Sequence, residues 1–253
     1  MSLNFAANLT FLWAELPYLD RFSAAADAGF KAVEILFPYD IAAKETRRAL
    51  TANGLEMVLL NAPPPNYTGG QRGFAANPDL IERFRRDMIR TYRYAEALGA
   101  SLVHVMSGEG EGAEAKQTFI DNLIWAAECA PTGVTLCVEP LNRTAMPGYF
   151  MCDYGLAAEV LEAVEAPNVA LQYDSYHAQV IHGDAVAVFE RYAPLVGHIQ
   201  IGDTPNRGAP GTGDVDFQRL FAAIEAHGYD GWIAGEYQCD GRTEETLSWM
   251  SHA

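Results

Sequence analysis

The chain has 253 residues, 49% of them hydrophobic, and a formal net charge of −16. That length and apolar share suit a folded α/β protein with a large core and exclude a disordered chain, while the negative charge argues against binding a phosphate backbone. No apolar run reaches the roughly 18 residues of a membrane span, the opening MSLNFAANLT has no basic region followed by an apolar one, and Cys129, Cys137, Cys152 and Cys239 show no C-x-x-C spacing, so the expectation is a cytoplasmic protein with reduced cysteines and neither a membrane nor a nucleic-acid partner.

Asn4–Leu9 reads as the first strand. It leads into NLTFLWAELP, without the glycine-rich phosphate turn that opens a doubly wound sheet. Strands follow at Ala32–Phe37 and Glu56–Leu60, and then a long loop, Asn61–Pro78. A helix is predicted over Leu80–Leu98, where Phe84, Met88, Tyr92, Ala95 and Leu98 recur at steps of three and four. The strand Leu102–Met106 comes next, then helical spacing over Phe119–Ala130, then strands at Thr135–Glu139, Val169–Asp174 and Gly197–Ile201. A second long loop, Gly202–Val215, precedes the last strand, Trp232–Tyr237. Gly29, Gly54, Gly99 and Gly228 stand where helix C-caps are expected. Near-continuous apolar strands alternating with helices imply a parallel sheet covered by helices. Eight such units, with no linker between them, predict one α/β domain over 1–253, a single (β/α)8 TIM barrel. Both long loops follow strand C-termini, where barrel enzymes place their chemistry, and their length suits lids or binding loops.

Four successive strands carry a side-chain oxygen near their ends: Glu139, Asp174, Gln200 and Glu236. Taken alone, a strand-terminal acid is as well explained by a helix cap or a salt bridge. If all four point inward, barrel closure brings three carboxylates and an amide to one mouth. They would repel without a cation. All-oxygen ligation suits one hard divalent ion, Mg²⁺ or Mn²⁺, whereas zinc more often recruits histidine or cysteine. His177, three residues after Asp174, could share the cleft; a capping or surface histidine is the competing reading. Arg207, in the second long loop, could fork onto a substrate carboxylate as its loop orders, or be an exposed cation. His104 and His198 read as structural histidines, and Glu34 either stands behind the ligands or pairs with a cation.

The segments FAANLTFLWAELPYLDRFSAAADAGFKAVEILFPYD, VHVMSG, VEPLNR, QYDSYHAQV, HIQIGDTPNRG and GWIAGEY, taken together and in this order, resemble the hydroxypyruvate isomerase family. That family lies in the xylose isomerase-like barrel superfamily, with the ketose 3-epimerases and endonuclease IV. The likeness runs from Asn4 to Trp249. The resemblance implies a divalent metal held by Glu139, Asp174, Gln200 and Glu236, with Glu139 and Glu236 as the catalytic acid/base pair. It also implies that His177 and Arg207 bind substrate oxygens. Related epimerases usually place histidine where this chain has Gln200, which leans toward the hydroxypyruvate isomerase branch. The expected reaction is interconversion of hydroxypyruvate and tartronate semialdehyde by proton transfer through an enediolate, with a resting site that is fully deprotonated near neutral pH. Isomerisation of 2-oxo-tetronate or 3-epimerisation of a ketose is the near alternative, and a metal-dependent hydrolase or a non-catalytic binding barrel the distant one. The expected partner is a small hydroxy-oxo acid, and a homo-oligomer is compatible with the sequence.

Overall fold

A computed structural model describes residues 3–64 and 72–251. Eight strands close a parallel barrel in chain order: β1 Asn4–Asn8, β2 Ala32–Ile35, β3 Glu56–Asn61, β4 Leu102–His104, β5 Thr135–Val138, β6 Val169–Asp174, β7 Val196–Ile201 and β8 Trp232–Gly235. The predicted (β/α)8 barrel is therefore the fold. The helices are α1 Asp20–Asp27, α2 Ala43–Asn53, α3 Ile81–Leu98, α4 Gly112–Cys129, α5 Tyr154–Val164, α6 Ser175–His182, α7 Ala185–Tyr192 and α8 Phe217–Ala226. Two helices follow β6, and a 3₁₀ segment, Thr243–Ser251, takes the place of a helix after β8.

The predicted elements are found, with shifted ends. In α3 the residues Phe84, Met88, Tyr92, Ala95 and Leu98 are buried, and Gly99 ends the helix at φ 74°, in the left-handed region that glycine tolerates. Helix α4 begins at Gly112, seven residues before its expected start at Phe119. Its first turns, GAEAKQT, are mostly exposed and carry little apolar periodicity to read. Strands β5 and β8 stop at Val138 and Gly235, so Glu139 and Glu236 lie one residue beyond their ends. Residues 65–71 of the first long loop lie outside the described residues.

The main core packs the outward faces of the strands against the helices. A smaller apolar cluster, with Ala6, Ala32 and Ala234 among its members, is separate from it. These three alanines stand two residues before Asn8, Glu34 and Glu236, hence on the same face of their strands one layer lower. Small side chains thus underlie a polar layer, which sits at the C-terminal mouth.

Candidate active site

Strand register explains the polar layer. Asn8 pairs with Glu34, Asn61 with His104, Gln172 with His198, and Asp174 with Gln200. Paired residues of a parallel sheet stand side by side, so each couple shares the inward face. All eight are nearly or fully buried. Polar groups withdrawn from water need partners, and here many find them across the barrel. Glu34 accepts from Asn8 Nδ2 at 2.7 Å and from Gln200 Nε2 at 2.6 Å, and its other oxygen lies 2.7 Å from His198 Nε2. Gln172 Nε2 donates to Gln200 Oε1 at 2.7 Å and to Glu139 Oε2 at 2.9 Å. Asn8 Nδ2 also donates to Glu236 Oε2 at 2.7 Å.

The residues singled out from the sequence lie around the mouth, with roles divided by atom. Asp174 ends β6 and caps α6: Oδ1 accepts from the backbone N–H of Tyr176 at 2.7 Å and of His177 at 3.3 Å. Its Oδ2 is left for Arg207, whose Nη2 donates to it at 2.9 Å. The helix cap and the site residue, opposed as readings of the sequence, are one carboxylate. Arg207 Nη2 donates also to Glu236 Oε1. Its guanidinium faces the rings of Phe11 and Tyr176 at 5.0 and 5.4 Å. Arg207 is thus not an exposed cation: it sits at φ 55° and bridges two of the carboxylates.

Gln200 joins the cluster, but it presents its amide NH₂ to Glu34 and Glu236 and gives its oxygen to Gln172. Glu139 contrasts with Glu236. Glu236 is held by Asn8, Gln200 and Arg207, whereas Glu139 Oε1 has no hydrogen-bond partner among the described residues. His177 accepts the Asn142 backbone N–H on Nδ1 at 3.0 Å. That places its proton on Nε2, which has no hydrogen-bond partner among the described residues and lies 3.9 Å from Asp174 Oδ2.

Burial, followed by the charges of Asp174 and Glu236, pushes Glu139 well above the usual carboxylate range. Burial also raises Asp174, against the pull of Arg207. Burial takes Glu236 up to about 8, opposed by Arg207 and reinforced by Glu34 and Asp174. Burial works against the charge of Arg207, but Glu236, Asp174 and Glu139 outweigh it and raise its pKa. Burial, then Arg207, depresses His177. Full deprotonation of this mouth therefore requires more positive charge than Arg207 supplies. Ligand atoms of Glu139, Asp174 and His177 lie within 4.8 Å of one another, close enough to share one ion. The unpartnered Glu139 oxygen, the crowding of acids and this spacing all fit a divalent cation. Gln200 could offer its oxygen only after its amide turns over and gives up its donations to Glu34 and Glu236.

These groups border a cavity of ≈ 170 Å³, lined by Glu139, His177, Arg207 and Glu236 and by apolar walls that include Phe11, Phe37 and Met146. Asn61 and His104 line it too. His104, read from the sequence as structural, borders the cavity as well, and Asn61 was not singled out from the sequence. With the strand ends of the structure, the rule that marked Asp174 applies also to Asn8, Asn61 and His104; the third and fourth strands predicted from the sequence end at Leu60 and Met106, which does not place Asn61 and His104 there.

Residues 22–252 match the family model described as xylose isomerase-like TIM barrel. The chain belongs to this family. It is 41% identical over 252 residues to the 2-oxo-tetronate isomerase of Cupriavidus necator, covering 98% of this chain and 97% of that one. It is 37% identical to the hydroxypyruvate isomerase of Escherichia coli K12, covering 98% of each. A crystal structure described as an AP endonuclease, family 2, from Brucella melitensis superposes with a TM-score of 0.95 at 41% identity, covering 98% of each chain. The D-allulose 3-epimerase of Methylomonas sp. shares the fold, with a TM-score of 0.76 at 22% identity over 99% of this chain and 89% of that one. Like its full-length curated relatives, the chain is an isomerase of the aldose–ketose type on this fold. Among the described residues, no helix is long and apolar enough to cross a membrane.

Proposed function

We propose that the protein interconverts a short 2-oxo acid and its hydroxy-aldehyde or hydroxy-ketone isomer, with the help of one Mg²⁺ or Mn²⁺ ion. Hydroxypyruvate to tartronate semialdehyde is the smallest such reaction. The observation that carries this reading is that Glu139, Glu236, Arg207 and His177 line one small cavity, with Asp174 directly behind Arg207 and His177. Glu139, Asp174 and Glu236 would hold the ion, together with His177 or a turned Gln200. When bound, the ion supplies positive charge against the negative charge that builds on the two reacting oxygens. Glu139 and Glu236 flank the cavity from β5 and β8 and exchange protons with adjacent carbons. One takes a proton from C3 and the other delivers one to C2. The C3 hydroxyl loses its proton as the C2 oxygen gains one, so each proton removed is replaced and the product has the composition of the substrate. The free oxygen of Glu139 and the anchored pose of Glu236 suit different partners in this exchange. Arg207 Nε and His177 Nε2, both unpartnered donors, suit the substrate's carboxylate and oxygen atoms.

The four-carbon acid 2-oxo-tetronate is the second reading, favoured by the 41% identity to relatives named for that substrate. A nuclease reading has less support. Asp174 and Glu236 carry their own arginine counter-ion, and the net charge of −16 repels a phosphate backbone.

The test is turnover of hydroxypyruvate by metal-loaded protein in D₂O, with the product trapped by coupled reduction. Expected are metal-dependent product and deuterium on carbon, since a carboxylate exchanges its proton with solvent. Product with no carbon-bound deuterium and full transfer of label from C3 to C2 would demote both glutamates to ligands. Phosphate release from DNA, with no isomerisation of short oxo acids, would replace the reading by a hydrolase.

A further inference from the structure

Two buried polar side chains of the cavity have no task in the reaction above. Asn61 ends β3, His104 ends β4, and the two are register partners on adjacent strands. They are 2% and 1% exposed, and both line the cavity. Among the described residues, Asn61 Oδ1 and both ring nitrogens of His104 lack a hydrogen-bond partner, and Asn61 Nδ2 reaches Met106 Sδ at 3.8 Å. Buried polar atoms left unpaired destabilise a fold, so such atoms gathered on one cavity wall mark where a ligand completes the bonds.

The chemistry of the pair selects the ligand group. Asn61 offers an acceptor, and an imidazole offers a donor and an acceptor. A carboxylate would meet the amide oxygen with like partial charge. A neutral hydroxyl matches both partners: it donates to Asn61 Oδ1 and accepts from a His104 N–H.

Position then selects the part of the substrate. His104 Nδ1 lies 3.5 Å from Glu139 Oε2, so this wall adjoins one of the two glutamates. Arg207 sits on the far side, against Glu236 of β8 and Asp174 of β6, and β7–β8 lie across the closed barrel from β3–β4. Arg72 also borders the cavity but is exposed, whereas Arg207 is held in place against the two acids; an acid with its carboxylate toward Arg207 directs its other end to Asn61 and His104. In hydroxypyruvate the chain stops at the reacting C3. A fourth carbon bearing a hydroxyl would continue to this wall.

We propose that Asn61 and His104 form a hydroxyl-binding subsite for the terminal hydroxyl of a four-carbon 2-oxo acid, and that this pair makes 2-oxo-tetronate a better substrate than hydroxypyruvate. The inference rests on the isomerase reading above and deepens it.

The experiment compares kcat/KM of the metal-loaded enzyme for 2-oxo-tetronate, for its 4-deoxy analogue 3-hydroxy-2-oxobutanoate, and for hydroxypyruvate. Wild-type enzyme should prefer the 4-hydroxy acid to its deoxy analogue by about tenfold, the worth of a buried hydrogen bond. Asn61→Leu and His104→Phe should each shrink that ratio toward one, while the deoxy acid loses less. The side-chain deletions and the hydroxyl deletion form a cycle that isolates this contact. The wild-type comparison needs no variant, so a variant that fails to fold does not remove the test. Equal use of the hydroxylated and deoxy acids by wild type would overturn the subsite and leave the isomerase standing, as would a ratio unchanged in both variants. Turnover of none of the three acids by folded, metal-loaded protein would overturn the isomerase reading and the subsite with it.

Discussion

At the scale of single residues, the two glutamates differ in restraint. Glu236 receives three donors, while Glu139 keeps one oxygen free beside the cavity. Glu139→Gln and Glu236→Gln retain an oxygen for an ion but cannot accept the substrate's proton. Each should lower kcat by about 10²-fold or more, the range of a positioned acid or base, with metal affinity falling less. Near-wild-type kcat in either variant would make that glutamate a ligand only. Arg207 calls for two readouts. Its removal takes a charged hydrogen bond from the substrate, so Arg207→Ala should raise KM by an amount equivalent to about 1.5–3 kcal/mol. It also strips Asp174 and Glu236 of their counter-charge. Breaking a buried ion pair from one side destabilises by about 3–5 kcal/mol; Arg207 is 16% exposed by side chain, so the lower end is expected. Melting in chelator should show that loss, and a divalent ion should rescue the variant more than wild type. A KM and a melting curve both unchanged would leave Arg207 without either role.

At the scale of elements, the loop after β7 is braced from within. The Asp203 carboxylate accepts four backbone N–H groups: Thr204 at 2.8 Å, Gly211 at 3.0 Å, Gly213 at 2.8 Å and Val215 at 3.0 Å. Gly213 is glycine for a steric reason, because a Cβ there would lie 1.5 Å from the Thr204 carbonyl oxygen. Backbone bonds between Asp203 and Gly208, and from the Gln238 N–H to the Arg207 carbonyl, complete the frame. These bonds brace the backbone that carries Arg207 in its left-handed pose. Asp203→Ala removes the acceptor of four backbone donors, two of them on the buried residues Thr204 and Val215. The expected result is faster amide exchange confined to residues 204–215 and a raised KM, with metal affinity unchanged. Exchange and KM like those of wild type would show that the frame stands without its carboxylate.

At the scale of the whole molecule, one mouth gathers acids from the ends of β5, β6 and β8, two of them paired with Arg207. An ion bound only by the closed barrel stabilises it by mass action, about 2.7 kcal/mol at a hundredfold excess over Kd. For a chain of this size that corresponds to a rise in Tm of about 5–10 °C. Mg²⁺ or Mn²⁺ should produce such a rise, and Asp174→Asn should reduce it. A Tm indifferent to both ions at saturating concentration would remove the ion from the site.

Much of this was legible in the chain. The count of strand–helix units, their order and the polar residues at Glu139, Asp174, Gln200 and Glu236 follow from local periodicity, which needs no knowledge of the rest of the molecule. The exposed start of α4 was not, because exposed turns leave no apolar period. What only the tertiary structure decided is how partners distant in the chain divide their atoms. Arg207 lies on Asp174 and Glu236, Gln200 turns its amide toward Glu34, and Asp174 splits its two oxygens between a helix cap and an arginine. Asn61 and His104 become a cavity wall only when β3 and β4 are curled to face β7 and β8. A strand end announces a polar side chain, but closure of the barrel sets what that side chain meets, because the distances across the mouth are fixed by strand register and not by spacing along the sequence.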